Sequence, residues 1–308
     1  MEKRISPWKL AGAFFAVYFI WGTTYLASLF GLEGMGPFVL SALRYGSAAI
    51  LLGIWVFARK LHWPARENFP RLVLSGALML VGGSGLVVYG EQYVNSGYAA
   101  VVVASEPLWF VILDRKRWSF YFGNWKIIAG LLTGFGGIIL FSFYSSGNAE
   151  LRPGGILPGT LIILGSAVLW VVGTLIAAGI TTRQGSNIAR TTVQLISGAI
   201  VASLIAAFTG EWTTFAPALV SDRAWAGLAF LVIMGSIVAY VSFNWLVTVR
   251  PPALVSTHTY VNPVVAVLLG WTLAGELLSG RQVAALFIVL AGIAITQIQH
   301  NKKPAVSN

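Results

Sequence analysis

At 308 residues, 57% hydrophobic and 10% charged, with 34 Gly, 12 Trp and a mean hydropathy of +0.79, the chain is too apolar to present a polar exterior to water. Its net charge of +10 would suit a nucleic-acid binder, but the basic residues flank apolar runs, which excludes that class and leaves a membrane protein. There is no Cys, so disulfides and thiol chemistry are excluded as well.

Apolar runs follow one another near 10–30, 36–58, 70–90, 97–114, 124–144, 157–179, 189–209, 224–248, 253–275 and 281–299. A helix needs about 20 residues to cross a bilayer core of roughly 30 Å. The runs are continuous rather than alternating, so they predict transmembrane helices and not the strands of a porin-like barrel.

The first run follows a basic flank like that of a signal peptide, but it extends through Phe30 and is too long to be one. It carries Trp21 mid-span. The second run holds Arg44; the third holds the small-residue stretch VGGSG at 81–85 and then Tyr89. The fourth contains SEPLW at 105–109, where Glu106 and Pro107 interrupt an apolar segment and Trp109 follows one turn later. The fifth carries G-x-x-x-G at 130–134, a close-approach face for a neighbouring helix or for a second copy of the chain. Trp170 lies in the sixth run and Gln194 in the seventh. In the eighth, Ser236, Tyr240 and Asn244 recur at steps of four; in the ninth, His258 and Asn262 share a face ahead of Pro263.

Of the 20 Lys and Arg, all but Arg44, Arg152, Arg223 and Arg281 fall on the side of the N-terminus if all ten runs cross the membrane. The positive-inside bias then puts both termini in the cytoplasm. Arg44, Glu106 and His258 are the ionisable groups deep within predicted spans, where charge is costly and faces a bundle interior or a wet cavity. Arg44 and Glu106 lie at similar depth, about 10–14 Å from the outer ends of their runs at a rise of about 1.5 Å per residue. Two roles are open to Glu106: a buried ion pair with Arg44 that fixes helix packing, or a cavity group that takes a substrate ammonium or a proton, with Arg44 tuning it.

Pro107 and Pro263 each remove an interior helix hydrogen bond, freeing the carbonyls of Val103 and Thr259 and marking a kink, a ligand contact or a bending point. Trp8, Trp63, Trp118, Trp125 and Trp212 suit interfacial belts. Trp21, Tyr89 and Trp170 do not; they pack between helices or stack on an aromatic or apolar substrate. Tyr240, Asn244, His258 and Asn262 form converging polar stripes of the kind a cavity lining requires.

The second half echoes the first. WGTT at 21–24 is answered by WVVGT at 170–174, SALRYGSAA at 41–49 by TTVQLISGA at 191–199, SEPLW by VNPVV at 261–265, and GFGGI at 134–138 by LAGIA at 290–294. Five spans per copy is an odd number, so the second copy enters the membrane from the opposite face. The expected fold is therefore all-α and integral to the membrane, with two inverted five-helix repeats at 1–148 and 149–308 in one embedded domain.

The paired units, the WGT signature, the fourth-helix proline and LAGE at 273–276 resemble the EamA-type repeat of the drug/metabolite transporter superfamily. In that family the fourth helix commonly ends in Gly-Glu. Gly275 and Glu276 match, whereas the first copy has Ser119 and Phe120, so Glu276 has no symmetric partner. Within the superfamily the Trp-rich chain is most similar to the YddG-type exporters of aromatic and other neutral amino acids.

The resemblance implies a secondary transporter of the bacterial inner membrane, exporting neutral and chiefly aromatic amino acids by alternating access. A proton-coupled multidrug or metabolite exporter is the alternative. An enzyme is not expected: the chain has no His cluster for a metal, no H-E-x-x-H or G-x-S-x-G and no nucleotide-binding loop. No cofactor or metal is called for, and the expected partners are the solute and the bilayer, with a monomer or weak homodimer.

Overall fold

The computed structural model describes residues 6–94, 96–145, 156–180, 185–274 and 279–297, and within them all regular secondary structure is helical. The helices are α1 (Pro7–Leu32), α2 (Pro37–Ala58), α3 (Arg66–Gly90), α4 (Ser96–Val103), α5 (Glu106–Leu113), α6 (Trp125–Ser145), α7 (Ile156–Ala178), α8 (Asn187–Phe208), α9 (Asp222–Val249), α10 (His258–Ala274) and α11 (Gly280–Gln297). Within the described residues each predicted run coincides mainly with helix, the fourth in two pieces, α4 and α5. Among those residues six helices, namely α1, α2, α3, α7, α8 and α9, are long and apolar enough to cross a membrane; α6 meets the segment Arg115–Phe122 at 96°, and α11 is shorter. Gly275, Glu276 and Arg152 lie outside the described residues.

Local sequence sets the ends. Pro7 and Pro37 sit in first turns, where a missing N–H costs nothing. α2 stops at Lys60, whose φ of +50° is left-handed, and α9 stops at Arg250, extended ahead of Pro251. Gly210, at φ +77°, turns the chain so that Glu211 reaches back to α2, where its Oε2 accepts the Phe38 and Val39 amides at 2.8 and 2.9 Å. That carboxylate satisfies two orphan donors of a helix N-terminus and opposes its dipole.

Ile196, Ile200, Leu204 and Phe208 run down one side of α8, and Ile50, Ile54 and Phe57 down α2, all exposed. A regular outward apolar stripe on long helices is what hydrocarbon solvates. Inside, α2 packs along α8, α6 along α11, α3 along α7 and α1 along α9. Under the expected repeat, exchange of residues 1–148 with 149–308 would map the first two pairs onto themselves and the last two onto each other.

The α6–α11 seam is built from glycine. A Cβ on Gly130 would meet the Gly292 carbonyl at 2.7 Å, and one on Gly292 would strike the backbone of Gly134. The G-x-x-x-G stretch therefore packs within the chain, against α11.

Three helices are not uniformly α. Ala16–Ile20 in α1, Ala77–Gly85 in α3 and Leu231–Ala239 in α9 are π-helical. A π-helical turn widens the helix and often marks a functional site.

Candidate functional site

The wide turns of α3 and α9 and the residues just after that of α1 face one central cavity of about 760 Å³, counted with its mouth. α7, α10 and the junction of α4 with α5 complete the wall; α2 contributes Arg44 alone, and α6, α8 and α11 contribute nothing.

One part of the wall is aromatic. Trp21 Nε1 donates to the Gly235 carbonyl at 3.1 Å, which fixes the ring. The Trp21 ring meets Trp170 edge-on, with centroids 5.4 Å apart and planes at 79°, and lies 4.8 Å from His258 and 5.2 Å from Phe243. Trp170 also contacts Phe243 at 5.3 Å and Tyr240 at 6.3 Å. Its own Nε1 is buried without a hydrogen-bond partner. His258 is held from behind, its Nδ1 3.1 Å from the Ser256 carbonyl.

The remainder is polar. Arg44 Nε donates to Ser236 Oγ at 2.7 Å. Glu106 opens α5 and is buried, with no hydrogen-bond partner for Oε2. No ion pair joins Arg44 to Glu106: among the described residues the ion pairs are Arg117–Asp114 and Arg223–Glu33. Of the two roles open to Glu106, the helix-fixing salt bridge is thus not formed. A second carboxylate, Glu91, is buried on the same wall just beyond α3, and Tyr25 and Asn262 line that wall with it. With its amide oriented as the surrounding acceptors require, Asn262 Nδ2 donates to the Tyr18 and His258 carbonyls at 3.0 and 2.9 Å.

Of the residues singled out in the sequence, Trp21, Arg44, Glu106, Trp170, Tyr240, His258 and Asn262 line this cavity. Three others do not. Trp109 turns back along its own helix, Nε1 donating to Ser105 Oγ at 3.2 Å. Tyr89 stacks on Phe38 at 5.8 Å and hydrogen-bonds Tyr93. Asn244 donates to Gln194 Oε1 at 2.8 Å and Thr191 Oγ1 at 3.1 Å, in a network that continues to Ser75.

The prolines differ too. Pro263 sits inside α10 as expected, whereas Pro107 lies in the first turn of α5, so the fourth run holds a break rather than a kink. Ser105 makes that break by donating from N and Oγ to the Val102 carbonyl, at 3.1 and 2.7 Å. Sequence reasoning missed Glu91 and Tyr25 on the wall, and Phe243, which packs against the two tryptophans without lining the cavity. Tyr25 was readable as the residue one turn after Trp21, and Glu91 as a carboxylate ending the third run.

The arrangement offers a carboxylate without a cation, a guanidinium without an anion and an aromatic wall, and so can bind a solute carrying both charges and an apolar group. Comparison with known proteins places it in context. A model of the EamA-like transporter family matches residues 8–143 and 157–298. The chain is 33% identical to YedA of Escherichia coli (strain K12), described as an uncharacterized inner membrane transporter, over 98% of this chain and 94% of that one. It is 22% identical to YoaV, an uncharacterized transporter of Bacillus subtilis (strain 168), over 94% and 96%, and 25% identical to protein PecM of Dickeya dadantii (strain 3937), over 90% and 89%. A solved crystal structure shares the fold at a TM-score of 0.74 and 18% identity, covering 95% of this chain and 97% of that one.

Proposed function

Because this chain belongs to the EamA-like transporter family, we propose that its central cavity carries a small neutral organic solute by alternating access, with aromatic and other neutral amino acids as the cargo and export as the direction. One observation carries this reading: Glu106 and Arg44 line the same cavity and do not pair. A zwitterion supplies an ammonium for Glu106 and a carboxylate for Arg44, and an aromatic side chain suits Trp21 and Trp170. The export direction rests on the resemblance to YddG-type exporters. The test is uptake of a labelled amino-acid panel into proteoliposomes. Saturable flux of aromatic amino acids is expected, and no flux of any amino acid removes the cargo assignment.

A second reading, a proton-coupled exporter of diverse metabolites, is favoured by the two carboxylates Glu91 and Glu106 on one wall. It requires flux that appears only under an imposed pH gradient and is lost in Glu106→Gln.

The topology that fits this function has ten crossings in two inverted repeats, residues 1–148 and 149–308, with both termini cytoplasmic. Supporting it are the separate matches of the family model to the two halves, the exchange pattern of packed helix pairs, and the one-sided Lys and Arg. The bacterial inner membrane follows from the relative described in those terms. A monomer suits a chain whose glycine face is used internally.

A further inference from the structure

A second, narrow cavity, with room for little more than one water-sized group, lies where the ends of four helices meet: Leu72 near the start of α3, Ala177 at the end of α7, Arg190 in the first turn of α8, and Val247 and Thr248 in the last turn of α9. Arg190 is 7% exposed. Its Nη2 donates to the Ala177 carbonyl at 3.1 Å, which tidies the end of α7, but its Nε is buried with no partner. Among the described residues no Asp or Glu lies within ion-pair distance of it.

The other polar groups of this cavity donate elsewhere. Asn244 Nδ2 serves Thr191 and Gln194, Gln194 Nε2 serves Ser75, and Thr248 Oγ1 serves the Trp245 carbonyl. A guanidinium cannot shed its proton, and a buried charge without a counter-ion is unfavourable. The charge also stands at the N-terminus of a 22-residue helix, where the backbone dipole favours an anion. We propose that this cavity is a binding site for one small monovalent anion, chloride or a formate-sized carboxylate, held by the free Nε of Arg190. The single guanidinium sets the charge and the narrow space sets the size. The site is distinct from the central cavity and does not depend on the identity of the cargo.

The experiment uses the purified full-length protein in detergent, with unfolding followed by tryptophan fluorescence. Chloride and formate are titrated in turn against gluconate, which is too large for the cavity, at constant ionic strength. A ligand that binds only the folded state raises Tm with saturation. A saturable rise with either anion is expected, and is kept in Arg44→Gln, where the guanidinium of the central cavity is gone. In that background it is lost when Arg190→Gln is added, which separates the two sites. If the double variant does not fold, Val247→Phe in the same background fills the space while leaving the Arg190 guanidinium, and is expected to abolish the rise. A Tm indifferent to both anions overturns the proposal, as does a rise lost in Arg44→Gln alone or one that survives the second substitution.

Discussion

Arg44 and Ser236 are joined across the α2–α9 interface by a 2.7 Å hydrogen bond from Nε to Oγ, and this bond, not a carboxylate, positions the one guanidinium of the central cavity. Gly235 leaves room for it, since a Cβ there would sit 2.9 Å from Arg44 Nη2. Ser236→Ala removes a bond to a charged donor, about 1.5–3 kcal/mol. If the guanidinium receives the cargo carboxylate, KM in proteoliposome flux rises by about tenfold or more, at about 1.4 kcal/mol per decade, with maximal flux little changed. An unaltered KM would remove Arg44 from the binding role.

Glu106→Gln keeps shape and removes charge. No salt bridge is broken, so folded yield is expected to match the parent, whereas cargo affinity falls by about tenfold or more, the worth of a charge-assisted hydrogen bond. Glu106→Leu also folds, because burying an apolar group in place of an unpartnered carboxylate oxygen relieves desolvation. Yield and labelled-cargo binding on the same preparations check both halves of the expectation; parental affinity in Glu106→Gln contradicts the assignment.

The two cavity tryptophans separate on stability. Trp21→Phe loses the bond to the Gly235 carbonyl and is expected to cost about 1–2 kcal/mol beyond packing. Trp170→Phe loses no hydrogen bond and removes a buried N–H that had none, so its Tm stays nearer the parent's. Thermal unfolding of the pair in one detergent is the measurement.

Glu211→Ala uncaps α2. Loss of the two amide bonds is expected to destabilise the fold by about 1–2 kcal/mol, with Glu211→Gln in between because it keeps an acceptor but not the charge. Glu211 does not line the central cavity, so cargo selectivity is expected to hold while Tm falls.

The helices were legible because continuous hydrophobicity over 18 or more residues has few other meanings, and the end signals at Pro37 and Pro251 are local. The cavity was partly legible: a charge or a mid-span Trp in an apolar run has few places to go, which found Arg44, Glu106, Trp21 and Trp170. The misses concern depth and local bonding and not the face of a helix. Tyr240 and Asn244 share one regular helix, and a turn beyond the cavity Asn244 meets Gln194 and Thr191 instead. Trp109 shares α5 with Glu106, but its indole bonds back to Ser105, and Phe243 carried no polar label to mark it.

The glycine seam between α6 and α11 has a practical consequence in a chain that has no Cys of its own. Thiol tethers can be installed in the natural sequence without first stripping it. Two helices whose backbones touch and which border no cavity should travel as one stave, so a tether across α6 and α11 leaves flux intact. One across α1 and α9, pinned together by Trp21 and Gly235 at the cavity wall, should arrest it until the tether is reduced.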